Sequence, residues 1–214
     1  MTDNYAKREV SELSKDKDAR DKVLVLCSGG MDSSVLVGLY ANLGYEVYTM
    51  YVYYGNKNVQ EESVKLNQLA DAFKIPVANR ISTKIDIPWS NSACIFGYEG
   101  TNLYVEMRNL VFLSLALSCA EALGIPTIAM GVIKAGEYSD TSDEFLSNFD
   151  TLAMNSLGIH LETPLRNLDK QGVYKLGHKF GIELHHTISC NTPIDGEPCG
   201  KCQDCKDREA LICK

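Results

Sequence analysis

The chain has 214 residues, of which 45% are hydrophobic and 23% are charged, a balance typical of a globular protein with one apolar core. Its 21 basic and 28 acidic residues give a net charge of −7, which argues against broad, unspecific binding of nucleic acid. No stretch approaches the roughly 18 apolar residues of a membrane span, so composition excludes membrane-spanning, collagen-like, coiled-coil and fully disordered classes.

The first twenty residues are polar and densely charged, and they predict a weakly ordered extension or a solvated helix over 1–20. They lack the apolar core of a secretion signal, so we expect a cytoplasmic, reducing location. In that setting, a cluster among the eight cysteines indicates metal binding before disulfides.

Strand and helix patterns alternate from residue 22 onward. Short apolar runs rich in Val, Ile and Tyr predict strands over 22–27, 45–53, 76–81 and 126–131. Helical spacing predicts helices over 32–43, 59–74, 107–123, 142–157 and 168–180. The alternation predicts an α/β fold, a Rossmann-like parallel sheet of about five strands with helices on both faces.

Residues 84–104 show no clear period, and a loop of this length inside a compact domain is usually functional. Trp89, Phe96 and Tyr98 either close over a flat heterocycle or anchor the loop. Cys94 is a candidate sulfur nucleophile, although a single loop cysteine is more often incidental.

The segment 28–33 reads Ser-Gly-Gly-Met-Asp-Ser, directly after the first strand and at the start of the first helix. Glycines let the main chain approach a phosphate closely, and the helix start offers free N–H groups. Asp32 is a carboxylate in an anion site, which makes most sense if it holds Mg²⁺. The alternative is a Gly-Gly turn in which Asp32 and the serines merely cap a helix.

Four cysteines lie within sixteen residues: Cys190, Cys199, Cys202 and Cys205. Thiolates at this spacing can complete a tetrahedral zinc shell, which would order a segment poor in apolar residues. A disulfide-rich tail and an iron–sulfur cluster are the alternatives. His185 and His186 precede the cluster and are ordinary surface residues or additional ligands.

Segment 28–33 resembles the SGGxDS pyrophosphate-binding loop of the PP-loop ATP pyrophosphatases, also called adenine nucleotide alpha hydrolases. The resemblance implies that Ser28, Gly29, Gly30, Met31, Asp32 and Ser33 bind ATP. It also implies that ATP is split to AMP and pyrophosphate, so that an oxygen of the substrate becomes adenylated. Mg²⁺ and ATP are therefore the expected cofactors, together with Zn²⁺ at the cysteines.

Residues 22–208 resemble the 7-cyano-7-deazaguanine synthase (QueC) family, through the loop, the cysteines and three further segments. These segments are Arg108–Ser114, Gly131 with 138–145, and the Thr163-Pro164-Leu165 stretch with Lys170. The resemblance implies catalytic roles for Asp32, Ser33 and Lys170. It implies substrate contacts by Arg108, Asn109, Gly131, Tyr138, Asp140 and Glu144.

The implied reaction is the ATP-dependent conversion of 7-carboxy-7-deazaguanine and ammonia to 7-cyano-7-deazaguanine. We expect a PP-loop domain over 21–186, a cysteine segment over 187–214, and a homodimer. Departures from the family pattern lie on the acceptor side, at Glu106, Met107, Ser139, Thr141 and 56–58.

Three alternatives follow from these departures. The first is a related ligase that joins a carboxy-deazapurine to another amine, on a protein or a nucleic acid. The second is a tRNA sulfur-transferase, which needs a reactive cysteine and a basic face. The third is a zinc-stabilised nucleotide-binding module without catalysis.

Overall fold

Five parallel strands form the centre of the computed structural model, which describes residues 21–56, 58–85, 105, 107–134, 138–190 and 192–212. The strands are β1 (Lys22–Leu26), β2 (Glu46–Tyr53), β3 (Arg80–Lys84), β4 (Thr127–Ala129) and β5 (His160–Glu162). Their order in the sheet is β3-β2-β1-β4-β5, and every neighbouring pair is parallel. The predicted parallel α/β sheet of five strands is confirmed.

Helices follow most of the strands. They are α1 (Met31–Leu43), α2 (Val59–Ala72), α3 (Arg108–Leu123), α4 (Asp143–Leu157), α5 (Lys170–Lys179) and α6 (Gln203–Ile212). Gly44 and Gly124 end α1 and α3 in the left-handed conformation that glycine adopts without strain. In the described part of the chain, no helix combines the length and the apolar character needed to cross a membrane.

The alternating side chains of β1 divide the apolar core into two layers. Val23 and Val25 are fully buried against residues of α1, α2 and α5. Leu24 is fully buried on the other face, against residues of α3 and α4. Burial of each such side chain stabilises the fold by about 1.5–3 kcal/mol. Strand β1 is thus buried on both faces, as its apolar run predicted.

Two strands differ from the sequence prediction. The strand predicted over 76–81 begins only at Arg80, because Val77–Asn79 form a 3₁₀ turn that starts after Pro76. Proline fixes its own φ and has no N–H, which suits a turn start better than a ladder. Strand β5 has three residues and carries no sequence signal, because Leu161 is the single apolar residue between His160 and Glu162. The sequence patterns also do not predict α6, which begins directly after Cys202 and contains Cys205.

The sheet order reverses direction between β1 and β4, which creates a crevice at the carboxyl ends of these two strands. The loop after β1 and the residues after β4 meet at this point. A Cβ on Gly131 would lie 3.1 Å from main-chain and side-chain atoms of Asp32, so the two segments are in close contact. The fold therefore brings segment 28–33 to the position where parallel α/β sheets bind ligands.

Candidate functional site

Segment 28–33 forms a tight turn that is closed by the Ser33 hydroxyl. The Ser28 N–H donates to Ser33 Oγ at 3.4 Å, and Ser33 Oγ donates to the Gly30 carbonyl at 3.2 Å. Gly30 is the N-cap of α1, and no side chain caps the first turn of that helix in the part of the chain that the structure describes. Free N–H groups at a helix start are a ready binding site for an anion such as a phosphate.

Gly29 is held in the left-handed region, with φ of 78°, and packs directly against α2. A Cβ at this position would lie 2.9 Å from the Glu62 carbonyl oxygen, closer than real Cβ contacts allow. Its own carbonyl accepts a hydrogen bond from the Ile188 N–H at 3.0 Å. Both the positive φ and the lack of space for a side chain therefore favour glycine at position 29.

Asp32 lies in the first turn of α1, beside the loop. Burial raises the pKa of Asp32 to about 6, the Lys170 ammonium opposes this rise, and the Asp204 carboxylate adds to it. A desolvated carboxylate next to an anion site is a suitable ligand for a hard cation, and the residues present fit Mg²⁺ in this respect.

Lys170 is the first residue of α5, and its ammonium forms an ion pair with Asp207 of α6. It also lies 3.9 Å from a carboxylate oxygen of Asp204. The Gln203 amide donates to the other oxygen of Asp207 at 2.6 Å, and these contacts lower the pKa of Asp207, with the Lys170 hydrogen bond as the main cause. The predicted phosphate-binding lysine is thus near Asp32 and is contacted by a helix that sequence reasoning did not predict.

Arg108 and Asn109 begin α3, on the far side of β1 from α1. Arg108 donates to the Tyr54 hydroxyl at 2.9 Å, and its guanidinium lies 5.3 Å from the Tyr54 ring centre and 5.8 Å from that of Phe112. The two rings hold the cation in one orientation through cation–π contacts. Of the tyrosines in and after β2, Tyr54 is therefore the one that joins this group.

Asp140 is buried, with 4% of its surface exposed, and one carboxylate oxygen accepts the Asn109 N–H at 2.8 Å. Because the first N–H groups of a helix have no partner within it, Asp140 caps α3 from a neighbouring segment. Tyr138 is half exposed and Glu144 is exposed. The substrate contacts predicted for these residues stay predictions.

A buried polar network that sequence reasoning missed lies beneath the loop, around the Glu62 carboxylate. Tyr51, Asn56 and Asn58 donate to its oxygens at 2.5, 2.8 and 3.0 Å. Burial raises the pKa of Glu62, while these hydrogen bonds oppose the rise. Asn58 also donates to the Cys190 carbonyl at 3.1 Å, which connects α2 to the cysteine segment. An Asn-x-Asn sequence after a tyrosine-rich strand was the one available signal.

The four predicted cysteines come together, with all Sγ atoms within 4.8 Å of one another. They are free thiols, so the disulfide alternative is wrong for these residues. The N–H groups of Lys201 and Cys202 lower the pKa of the Cys199 thiol to about 6, whereas burial raises the pKa of Cys205 to about 12. A bound cation would therefore be needed to ionise the Cys205 thiol at neutral pH.

The sulfur spacing fits one tetrahedral metal ion. Metal–sulfur bonds of about 2.3 Å place the sulfurs of such a site about 3.8 Å apart. The cysteines of a four-iron cluster stand farther apart, because each binds a different iron. Among the described residues, the four cysteines are the one group of three or more His, Cys, Asp or Glu side chains placed to hold a metal ion. His185 and His186 lie outside it, with their rings tilted to each other and their centres 4.0 Å apart.

Some sequence predictions lie outside the described residues. They concern the extension 1–20 and the residues Trp89, Cys94, Phe96 and Tyr98 of the long loop.

The fold, with the glycine-rich loop at its switch point, defines the chain as a Rossmann-like PP-loop protein. The U34-tRNA thiolase NcsA from Methanococcus maripaludis, solved with its [4Fe-4S] cluster, has this fold with a TM-score of 0.59 and 12% sequence identity, covering 98% of this chain and 78% of that one. The NMN synthetase from Francisella tularensis matches with a TM-score of 0.50 and 16% identity, covering 100% and 87%. At these identities the likeness establishes the fold alone.

The chain belongs to the QueC family, because the family model described as queuosine biosynthesis protein QueC matches residues 22–212. The 7-cyano-7-deazaguanine synthase of Stutzerimonas stutzeri (strain A1501) is 33% identical over 212 residues, which cover 88% of this chain and 92% of the relative. That of Rickettsia akari (strain Hartford) is 30% identical over 209 residues, covering 87% and 92%. The family resemblance is confirmed, and the names of these relatives support an enzyme.

Substitution of Gly29 tests the close packing of the loop. We expect Gly29→Ala to lower the free energy of unfolding by about 1 kcal/mol from the backbone angle and by a further ~1–3 kcal/mol from contact with the Glu62 carbonyl. Gly44→Ala is the matched control, because Gly44 has φ of 87° and open space around it. Urea unfolding of both variants measures the difference, and equal losses would contradict the packing argument.

Proposed function

We propose that this protein uses ATP to activate the carboxylate of 7-carboxy-7-deazaguanine and joins ammonia to it, forming 7-cyano-7-deazaguanine. Membership of the QueC family and the names of its relatives support this reaction. The observation that carries the proposal is the uncapped start of α1 at segment 28–33, with Asp32 and Lys170 beside it. Free main-chain N–H groups, a carboxylate and an ammonium are together the groups that would bind a triphosphate with its magnesium ion.

In the proposed complex, main-chain N–H groups of the loop and the Ser28 hydroxyl bind the β- and γ-phosphates of ATP. Lys170 supplies a positive charge toward the same oxygens. Asp32 would hold Mg²⁺, which would supply positive charge to stabilise the triphosphate and the pyrophosphate leaving group. The Ser33 hydroxyl keeps the turn closed through its contacts with Ser28 and Gly30.

The proposed reaction uses two ATP molecules, the first to activate the carboxylate and the second to activate the resulting amide. A carboxylate oxygen attacks the α-phosphorus, pyrophosphate leaves, and ammonia then displaces AMP from the acyl carbon to give the amide. The amide oxygen then attacks the α-phosphorus of a second ATP and pyrophosphate leaves. Departure of AMP with loss of the two amide protons forms the nitrile. Both oxygens of the carboxylate therefore end on AMP.

The acceptor side has a preoriented cation. Tyr54 and Phe112 hold the Arg108 guanidinium, and an arginine suits the planar carboxylate that is to be activated. Asp140 fixes the start of α3 and so positions Asn109. Tyr138, Glu144 and the Gly131 main chain complete the proposed substrate contacts.

For the cysteine cluster we propose one Zn²⁺ with a structural role, held by a closed shell of four thiolates. The division into 21–186 and 187–214, the homodimer and the cytoplasmic location also stay predictions.

The role of Asp32 is testable by a nearly isosteric change. We expect Asp32→Asn to leave the fold intact and to lower AMP formation at least ~100-fold, because a neutral amide cannot replace an anionic cation ligand. AMP and pyrophosphate release with 7-carboxy-7-deazaguanine present is the measurement. Asp71→Asn, at an exposed ion pair with Arg80, is the control and should change little. Unchanged AMP release in Asp32→Asn contradicts the assigned role.

Product stoichiometry tests the overall reaction. With ATP, Mg²⁺, ammonium and 7-carboxy-7-deazaguanine labelled with ¹⁸O in its carboxylate, we expect about two AMP per nitrile, each carrying one ¹⁸O, since each activation transfers one oxygen. Mass spectrometry of both products makes the measurement. One labelled AMP per amide would instead indicate an amide-forming ligase. Absence of AMP with any amine would reject the deazapurine substrate.

The metal is testable by elemental analysis. We expect about one zinc per chain, and we expect Cys202→Ser to lose the metal and several kcal/mol of stability, because a structural site contributes directly to folding. Cys119→Ser is the control, since that partly buried thiol lies outside the cluster. Iron together with a visible absorption band would reject zinc.

A further inference from the structure

Helix α6, whose first turn contains the last of the four cysteines, contributes acidic side chains to the proposed phosphate-binding crevice. Asp207 of α6 pairs directly with the Lys170 ammonium, and Asp204 lies at the edge of contact, 3.9 Å away. Gln203 fixes the other Asp207 oxygen at 2.6 Å. Lys170 therefore does not extend freely into solvent, although its side chain is 37% exposed.

Helix α6 is itself firmly mounted. Its first turn contains Cys205 and follows Cys202, so the cysteine cluster holds that end. Arg208 donates to the hydroxyl of the buried Thr187 at 2.9 Å, and the next residue, Ile188, is bonded to Gly29 of the loop. The carboxylate that pairs with Lys170 is thus fixed relative to the loop, which is a requirement for a residue that positions another.

The acidic groups around Lys170 compete for one ammonium. Lys170 and Asp204 both lie within electrostatic reach of the Asp32 carboxylate. Without Asp207, the flexible lysine side chain would settle on Asp32 or Asp204. An ion pair with Asp32 would occupy the carboxylate and the ammonium at the same time, and neither would then be free for a magnesium triphosphate.

We infer that Asp207 is a positioning residue, which holds the Lys170 ammonium at the mouth of the loop and keeps it away from Asp32. The inference rests on the proposed function in one respect, namely that ATP binds at segment 28–33. It adds that the metal-bound segment forms part of the ATP site through α6.

The test is a double-mutant cycle on the binding of a non-hydrolysable ATP analogue with Mg²⁺, measured by calorimetry on the full chain with its metal. We expect Asp207→Asn to weaken binding about five- to tenfold in the natural chain and to have no effect in a Lys170→Met background, because the effect passes through Lys170. Asp207→Glu should stay within about twofold of the natural chain. Glu209→Gln, exposed on the same helix, is the control.

Each outcome decides the question. Unchanged or tighter binding in Asp207→Asn, with the natural chain binding normally, overturns the inference and leaves the proposed function intact. An equal loss in both backgrounds indicates a role in folding alone and also overturns it, and metal content of the variants checks that α6 stays docked. Failure of the natural chain to bind the analogue overturns the proposed function and the inference together.

Discussion

The close packing around the main chain of Gly29 is the constraint on which the rest of the site depends. Gly29 follows strand β1, and its α-carbon packs against the Glu62 carbonyl of α2. The Gly29 carbonyl accepts a hydrogen bond from the Ile188 N–H. A hydrogen atom is the only substituent for which there is room, so three segments can approach to the distance at which their polar groups bond. The hydrogen bond to Gly29 also fixes Ile188, two residues before the first cysteine of the cluster.

The side chain of Glu62, whose carbonyl packs against Gly29, is held by a network of polar groups in the interior. A buried carboxylate is costly unless its oxygens accept hydrogen bonds, and here three side chains supply them. Because Asn58 divides its donors between Glu62 and the Cys190 carbonyl, the orientation of α2 and that of the first cysteine are fixed by one side chain. Such networks specify a single arrangement better than apolar packing does.

The features predictable from sequence were those whose chemistry is local. A glycine pair before a helix needs its backbone angles, and cysteines at fixed spacing need a shared ion, so segment 28–33 and the cluster could be found without a fold. The roles of Asp140 and Asp207 could not, because each carboxylate acts on a helix start or a lysine far along the chain. Strand β5 has no sequence signal for a different reason, since only one of its three residues, Leu161, is apolar.

The hydrogen bond from Asn58 to Cys190 joins residues 132 positions apart, which sets the order in which the site can be assembled. During synthesis β1, the glycine loop and α2 are made well before their partners at Ile188, Cys190 and α6. Contacts of such long sequence separation form late because the loop that they close costs entropy. The contacts of the glycine loop are therefore complete only after the cysteine segment has been made and has folded, so a chain truncated before Ile188 has the sheet but lacks these contacts.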